Sequence, residues 1–219
     1  GFSPETFEQV HQSGEQVTSV RLNPAKTGRV LPPEFVSQAD AIPWTRLGYY
    51  LSQRPSFTFD PFFHAGNYYV QEASSMFLEQ AMIQLTQETE PVKVLDLCAS
   101  PGGKSTHLQS LLPAGSLLVS NEVIRSRAAV LRDNIVKWGA EQVVVTNNDP
   151  KDFSVLESFF DVLVVDAPCS GSGLFRRDPK AIGEWSLNNV QLCSQRQQRI
   201  LADCWPALKE NGLLIFSTC

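Results

Sequence analysis

The sequence predicts an α/β fold with a largely parallel sheet, and three observations support this prediction. Short β-branched runs alternate with helical patterns from about residue 92 onward, which is typical of parallel strands joined by crossover helices. These runs are almost continuously apolar, as expected for strands that are covered on both faces. Acidic residues follow four successive runs, at the carboxyl edge where open α/β sheets bind ligands.

Composition and charge are those of an ordinary globular protein. The chain has 219 residues, of which 42% are apolar and 19% charged, enough for a sizeable core in one or two domains. We find no run of about 18 apolar residues and no secretory signal pattern in the first ten residues. We therefore expect a cytoplasmic protein with no membrane partner. Because the formal charge is −5, any nucleic-acid binding must depend on local basic patches.

The first 66 residues indicate a different organisation from the rest. They contain frequent prolines, at positions 4, 24, 32, 33, 43, 55 and 61, and no regular alternation of strands and helices. We expect a small separate α+β module over residues 1–66 and a second domain over 67–219. A helix is predicted to begin near Glu72, with an apolar side formed by Met76, Phe77, Ala81 and Leu85.

Five strands are predicted in the second domain, over residues 92–98, 116–121, 142–146, 160–166 and 212–218. A helix between the second and third strands is indicated by four apolar residues at helical spacing and by Gly139 as a stop signal; the four are Ala128, Leu131, Ile135 and Trp138. A further helix is predicted over residues 189–209, with Pro206 kinking its last turns. Its apolar side consists of Leu192, Ile200, Leu201, Trp205 and Leu208.

The cysteines indicate free thiols. The five residues, Cys98, Cys169, Cys193, Cys204 and Cys219, include no C-x-x-C pair, so neither a disulfide framework nor a metal site fits their spacing. Cys193 and Cys204 fall in a helical pattern and are interpreted as small core residues. Cys169 and Cys219 follow the fourth and fifth strands. In a sheet of order 3-2-1-4-5 these strands are neighbours, so both thiols would face the same crevice.

The glycine loop "CASPGGK", residues 98–104, resembles a phosphate loop only in its ending. A P-loop needs a glycine five positions before the glycine of Gly-Lys-Ser, and here Cys98 occupies that position. The phosphate-binding interpretation therefore fails. A strand, a tight turn and a helix N-terminus remain, where the polar group of a ligand can lie close to the backbone.

The acidic residues at the predicted strand ends favour a particular class of ligand. Asp96, Glu122, Asp149 and Asp166 would repel a pyrophosphate, but they suit hydroxyl and amino donors near a positive centre. S-adenosylmethionine (SAM) has a ribose, an adenine amine, an ammonium group and a sulfonium, and it fits this pattern. The alternative is that each acid only caps a following helix or turn.

Several segments together resemble the RsmB/RsmF/NSUN/Nop2 family of SAM-dependent RNA 5-methylcytosine methyltransferases. The resemblance covers residues 19–219 and includes "SVRLNPAKT", "GNYYVQEASSMF", "VLDLCASPGGKSTHL", "SNEVIRSRAAVLRDNI", "NNDPKDF", "VLVVDAPCSGSGLFRRDPKAIGEWS" and "GLLIFSTC". The paired Pro-Cys and Thr-Cys motifs are its most specific part. The forms "YYVQEASSM", "NEVIRSR" and "DPKAIGEWS" are closest to the RsmF branch, which acts on small-subunit ribosomal RNA.

The resemblance implies a Rossmann-like class I SAM methyltransferase fold. That fold normally adds two strands beyond the Thr-Cys motif, so we expect the last two strands to be absent from this chain and the catalytic domain, 67–219, to be incomplete at its carboxyl end. The resemblance also implies that residues 1–66 are an RNA-binding or accessory module. We expect the partner to be RNA, ribosomal rather than transfer RNA, and the protein to be a monomer.

The resemblance also implies roles for individual residues. The loop formed by Cys98, Ala99, Ser100, Pro101, Gly102, Gly103 and Lys104 would bind the methionine part of SAM. Glu122 would bind the ribose, Asp149 the adenine amine, and Asp166 would lie between the cofactor and the target base. Cys219 would be the nucleophile, and Cys169 would assist product release. Phe175, Arg176 and Arg177 are candidates for RNA contacts, with a solvated loop as the alternative.

The chemistry explains why thiols are needed. Carbon 5 of cytosine is a poor nucleophile, but addition of a thiolate at carbon 6 makes it enamine-like. Two alternatives stay open at this stage. A DNA cytosine-C5 methyltransferase would use Cys169 as its nucleophile, and a noncatalytic RNA-binding or ribosome-assembly factor would keep the fold without the reaction.

Overall fold

The computed structural model of the chain describes residues 3–13, 17–27, 35, 39–85, 90–139, 141–175, 178 and 180–218. Two sheets organise these residues, one antiparallel with four strands and one parallel with five. Within these ranges, no helix is both long and apolar enough to cross a membrane.

The N-terminal sheet is small and antiparallel. Its elements are α1 (Pro4–Gln12), β1 (Thr18–Leu22), α2 (Pro24–Thr27), β2 (Ala39–Ala41), β3 (Gly48–Leu51), α3 (Pro61–His64) and β4 (Tyr68–Val70). The strand order is β2-β3-β1-β4, which confirms a small α+β arrangement in this part of the chain. The domain division at residue 66 stays a proposal, and β4, which lies just beyond it, pairs with β1.

The second sheet is parallel throughout. It is built from α4 (Leu78–Leu85), β5 (Lys93–Asp96), α5 (Gly103–Leu111), β6 (Leu117–Asn121), α6 (Arg125–Trp138), β7 (Val143–Thr146), β8 (Phe160–Asp166), α7 (Lys180–Glu184), α8 (Leu187–Cys204) and β9 (Leu208–Ser217). Its order is β7-β6-β5-β8-β9. The predicted α/β class and the predicted order 3-2-1-4-5 are both confirmed.

Helices cover both faces of this sheet, as the continuous apolar runs predict. On one face, residues of α4 and α5 pack against β5, β6 and β8. On the other face, Ile200 and Cys204 of α8 pack against the same central strands. Val94 and Leu95 are consecutive and therefore point to opposite faces, yet both are fully buried.

The helix predicted near Glu72 begins differently. A short 3-10 helix, Ala73–Phe77, precedes α4. Met76 is buried as expected, but Phe77 is 58% exposed and does not join the core. Leu85 was predicted on the same apolar side, and its side chain lies outside the described part of the structure.

The helix predicted over 189–209 also needs correction. α8 ends at Cys204, a 3-10 turn spans Trp205–Ala207, and β9 already begins at Leu208, which pairs with Phe160. Pro206 has no N–H to continue the helix, so it ends the helix where a kink was predicted. Leu192 and Trp205 are exposed at 59% and 57% and do not join the core.

Candidate functional site

The glycine loop lies at the carboxyl edge of the parallel sheet, between β5 and α5. Gly102 has φ 114°, a backbone conformation that residues with a Cβ rarely adopt. A Cβ at Gly102 would also lie 3.3 Å from Leu131 Cδ1 of α6. The glycine therefore lets the chain reverse tightly enough to start α5 directly after the strand.

Contacts with α6 hold the loop in place. The Ser100 hydroxyl donates to the Arg127 carbonyl at 2.9 Å, and the Arg127 guanidinium donates to the Ser100 carbonyl at 3.0 Å. Asn134 Nδ2 donates to the Pro101 carbonyl at 2.8 Å. The loop backbone is thus fixed before any ligand binds, which is the arrangement expected of a binding cradle.

Asp96 is fully buried at the start of the loop. Its Oδ2 accepts a hydrogen bond from Ser105 at 2.7 Å, whereas its Oδ1 has no hydrogen-bond partner among the described residues. Burial raises the pKa of Asp96 to about 6, although the hydrogen bond from Ser105 and the positive charge of Lys104 act to lower it. A buried carboxylate oxygen without a donor is costly, so Asp96 is suited to a ligand that brings an N–H or O–H group.

Glu122 directly follows β6 and is almost fully buried. Its Oε1 accepts from the Ile124 N–H at 3.0 Å, and its Oε2 lies 3.5 Å from Arg127 Nη2. The capping interpretation thus describes only one of the two carboxylate oxygens. The other faces a partly exposed arginine, a weaker contact that a ligand hydroxyl can replace.

Asp149 has clear structural partners. It caps the 3-10 helix Pro150–Val155 in a reciprocal capping box with Asp152, and its Oδ2 lies 3.2 Å from Arg199 Nη2 of α8. The capping alternative therefore describes this residue's own contacts. An adenine amine at Asp149 would share the carboxylate with Arg199.

Cys98 lies close to the acidic residues. Burial raises its pKa to about 12, and the negative charges of Asp96, Glu122 and Asp166 act in the same direction. The thiol of Cys98 is therefore protonated at neutral pH and is a poor nucleophile. The three carboxylates are thus all close enough to Cys98 to affect its pKa.

Asp166 and Lys104 form an ion pair across the site, with Nζ 2.8 Å from Oδ2. The other oxygen of Asp166 accepts from the Ser217 hydroxyl at 2.7 Å. Asp166 therefore connects α5, β8 and β9, and its side chain is still 42% exposed. A half-exposed carboxylate held from two sides can orient a ligand at this edge.

The segments that carry Cys169 and precede Cys219 are joined by one side chain. Gln197 of α8 donates through Nε2 to the Pro168 carbonyl at 2.8 Å and to Thr218 Oγ1 at 3.1 Å. Cys169 is half-buried, and its Sγ accepts from the Gly171 N–H at 3.4 Å. Cys219, Arg176 and Arg177 lie outside the described residues, so their predicted roles stay predictions.

A cavity of about 620 Å³ opens beside the Lys104–Asp166 pair. It lies between the 3-10 helix Ala73–Phe77 and the ends of β8 and β9. Its lining combines polar residues, among them Ser74, Ser75 and Thr218, with apolar residues such as Phe77, Leu78 and Ile215. This volume is within the usual range for a small-molecule site and is large enough for a nucleotide base.

Some residues of the site were not identified from the sequence. Ser105 directly follows the glycine loop, and its position in the first turn of α5 is the signal that could have linked it to Asp96. Gln197 carried no recognisable signal, because nothing in a helical stretch indicates which polar side chain will face a distant loop.

Two family models match the chain. The first, described as 16S rRNA methyltransferase RsmB/F, matches residues 82–219. The second, the N-terminal domain of 16S rRNA methyltransferase RsmF, matches residues 2–73.

Curated relatives share the same description. The ribosomal RNA small subunit methyltransferase F of Shewanella sp. (strain W3-18-1) is 36% identical over 192 residues, covering 82% of this chain and 38% of the relative. The protein of that name from Aeromonas salmonicida (strain A449) is 35% identical over 217 residues, covering 92% of this chain and 44% of the relative. The chain thus spans about two fifths of the length of these relatives.

Solved structures support the same fold. The crystal structure of PH0851 matches with a TM-score of 0.80 at 24% sequence identity. The match covers 100% of this chain and 51% of the PH0851 chain. The structure of NSun6 from Pyrococcus horikoshii with SFG has a TM-score of 0.80 at 16% sequence identity, and the match covers 100% of this chain and 80% of the NSun6 chain. At these identities the likeness concerns the fold alone. Because a single family model matches more than half of the sequence, the chain belongs to the RsmB/F family of SAM-dependent 16S rRNA methyltransferases.

Proposed function

We propose that the full-length protein transfers a methyl group from SAM to carbon 5 of a cytosine in small-subunit ribosomal RNA, through a covalent adduct with Cys219. The observation that carries this proposal is the cavity beside the Lys104–Asp166 pair. Thr218 lines that cavity, and Cys219 is the next residue of the chain. A base in the cavity would lie beside the carboxylate of Asp166 and beside Lys104 of the cofactor loop, and we propose that the Cys219 thiol reaches it there.

The residues at the sheet edge fit SAM. We propose that the loop Cys98–Lys104 holds its methionine part and that Asp96 Oδ1, which has no hydrogen-bond partner among the described residues, accepts from its ammonium group. Glu122 would accept from the ribose hydroxyls, and Asp149 from the adenine amine. When bound, SAM supplies an electrophilic methyl group.

Cys219 would act on the base before methyl transfer. Its thiolate adds to carbon 6 of the cytosine, and the new C–S bond makes carbon 5 nucleophilic. Asp166 is paired with Lys104 at 2.8 Å, so it is suited to accept a hydrogen bond from the base and to orient it, since a carboxylate is only an acceptor. The target base must leave its stack to enter the cavity.

Cys169 would act after methyl transfer. The methylated adduct must lose its carbon-5 proton, and the C–S bond to Cys219 then breaks. Gln197 ties the Pro168 carbonyl to Thr218, which supports a position for Cys169 near the adduct. We propose that Cys169 takes part in the proton removal that releases the RNA. Arg176 and Arg177 are proposed to contact RNA phosphates.

The test uses the full-length protein with tritium-labelled SAM and separate pools of small-subunit ribosomal RNA, transfer RNA and DNA. Denaturing gels report both label transfer and covalent adducts. We expect label in ribosomal RNA, its loss in Cys219→Ala, and an accumulated protein–RNA adduct in Cys169→Ala. Cys193→Ala is the matched control, because it removes a thiol that has no role in the proposed reaction. The prediction that Cys193 is a core residue is wrong, since it is only partly buried on α8 and lies outside the core that contains Cys204.

Other outcomes would favour the alternatives. Label in DNA with an adduct that requires Cys169 would indicate a DNA cytosine-C5 methyltransferase. RNA binding without methyl transfer would indicate a noncatalytic assembly factor.

A further inference from the structure

The segment "RLNPAK", residues 21–26, lies 70 residues or more before the cofactor loop, yet it contacts both helices that flank that loop. Three of its polar side chains contact α5 or α6: Arg21 of β1, Asn23 between β1 and α2, and Lys26 of α2. We refer to these three residues as the N-terminal clamp.

Arg21 reaches the first turn of α5. It is fully buried, and its guanidinium donates to Gly103 O at 3.2 Å and to Thr106 Oγ1 at 2.6 Å. The Thr106 hydroxyl in turn donates to Gly102 O at 2.8 Å. A continuous series of hydrogen bonds therefore leads from β1 to the glycine that turns the cofactor loop.

The environment of Arg21 is unusual for a buried charge. Its hydrogen-bond acceptors in the described residues are neutral, including Gln71 Oε1 at 2.8 Å, and no carboxylate of these residues lies within ion-pair distance of it. Its guanidinium stacks 4.6 Å from the ring centre of Trp138 in α6. The negative charge of Glu79 acts on Arg21 only from beyond ion-pair distance, and burial lowers the pKa of Arg21 to about 9. Burying a charge without a direct ion pair is unfavourable, so a neutral side chain would fill this position at lower cost if packing were the only requirement.

Asn23 and Lys26 hold the other flanking helix. Asn23 Nδ2 donates to Trp138 O at 2.8 Å, and Lys26 Nζ donates to Lys137 O at 2.7 Å. These carbonyls belong to the last turn of α6, where no later helical N–H is present to satisfy them. The same helix carries Arg127 and Asn134, which hold the loop from its other side.

We propose that Arg21 is a positioning residue for the cofactor loop and that the N-terminal clamp thereby makes SAM affinity depend on the N-terminal module. The module then has a second task beside the predicted contact with RNA. This inference rests on the proposed function, because it requires that the loop Cys98–Lys104 binds SAM.

The experiment measures SAM dissociation constants of the full-length protein by calorimetry, in the absence of RNA, together with melting temperatures. The variants are Arg21→Lys, Thr106→Val and Thr106→Ser. Arg46→Met is the matched control, because Arg46 also bridges from the N-terminal module but contacts Glu79 of α4 and not the loop.

Arg21→Lys and Thr106→Val are expected to weaken SAM binding about tenfold or more, the effect of losing one hydrogen bond to a charged group. Thr106→Ser keeps the hydroxyl and is expected to retain affinity within about twofold. Arg46→Met is expected to lower the melting temperature without changing SAM affinity. Under turnover with RNA, the KM for SAM is expected to rise in Arg21→Lys, and the KM for RNA to stay unchanged.

Wild-type SAM affinity in both Arg21→Lys and Thr106→Val would overturn the inference and leave Arg21 a purely structural residue. If Arg21→Lys does not fold, the comparison of Thr106→Val with Thr106→Ser still decides between the two roles. A wild-type protein that does not bind SAM would overturn the proposed function itself, which is a separate and recognisable result.

Discussion

At the scale of the residue, Glu79 is the point where three parts of the chain meet. Its buried carboxylate accepts from Thr45 Oγ1 at 2.6 Å, from Arg46 Nε at 2.8 Å and from His107 Nε2 at 3.2 Å. Burial alone would raise the pKa of Glu79, but hydrogen bonds from His107, Thr45 and Arg46 outweigh it and lower the pKa to about 2. Glu79 is therefore charged at neutral pH, and it binds α5 and the N-terminal module to α4.

His107 makes the stability of this cluster depend on pH. Burial, together with the charge of Arg21, lowers the pKa of His107 from 6.5 to about 4. Between these values the unfolded chain binds more protons than the native protein, so the free energy of unfolding falls as the pH falls through this window. Relative to a variant without this histidine, the free energy of unfolding is expected to fall by up to about 1.4 kcal/mol for each pH unit within this window.

Urea unfolding between pH 7 and pH 4 checks this prediction in His107→Gln, which keeps an N–H donor for Glu79 but cannot titrate. The stability difference between wild type and variant is expected to shrink as the pH falls. His64→Gln serves as the control, because His64 is exposed. The raised pKa of Asp96 makes the free energy of unfolding rise as the pH falls. This effect is the same in wild type, His107→Gln and His64→Gln, so it does not change the comparison. Parallel curves for wild type and His107→Gln would contradict the prediction.

At the scale of the element, the loop and α5 depend on one backbone conformation. The left-handed turn at Gly102 brings Gly103 directly into the first turn of α5, where the carbonyl of Gly103 meets Arg21. By comparison, Gly183 in α7 has open space where a Cβ would lie. Alanine variants at Gly102 and Gly183 can therefore be compared, one at a position that requires glycine and one at a position that does not.

Gly102→Ala is expected to lower the free energy of unfolding by about 1–2 kcal/mol, the cost of a left-handed conformation for a residue with a Cβ, and to weaken SAM binding. Gly183→Ala is expected to be neutral or to stabilise by up to about 1 kcal/mol, because alanine favours a helix over glycine. Urea unfolding and calorimetry with SAM would measure both effects. Equal free energies of unfolding and equal SAM affinities in the two variants would show that the turn at Gly102 tolerates a side chain.

At the scale of the whole molecule, the two sheets are joined by buried polar contacts. The N-terminal clamp fixes α5 and α6, and the Glu79 cluster fixes α4. In addition, β4 belongs to the N-terminal sheet through its pairing with β1. Removal of the N-terminal module would leave Glu79, Thr106 and the last turn of α6 without these partners.

A protein lacking residues 1–66 is therefore expected to melt about 10 °C lower or more, because each kcal/mol lost shifts Tm by about 2–4 °C in a chain of this size. It is also expected to lose SAM affinity even when no RNA is present. Thermal unfolding and calorimetry would test both expectations. An unchanged Tm together with unchanged SAM affinity would show that residues 67–219 form an independent domain.

Sequence patterns alone predict the order of the parallel strands, the position of the glycine loop and the acidic residues at the sheet edge. These features depend on local periodicity and on the rule that parallel strands end at one edge, so they can be inferred without knowing any distant contact. The helices near Glu72 and Pro206 were less accurately predicted, because the switch to a 3-10 turn depends on packing as well as on propensity.

The partner of each polar side chain, in contrast, depends on how distant parts of the chain pack together. Arg21 contacts Gly103 and Thr106, Lys104 pairs with Asp166, and Asp149 pairs with Arg199. These pairs are about 50 to 85 residues apart in the chain, and nothing in their local sequence selects one partner over another. The selection comes from how the helices cross the sheet and where the N-terminal module docks, because a buried polar group must find its hydrogen bonds among the neighbours that packing brings to it.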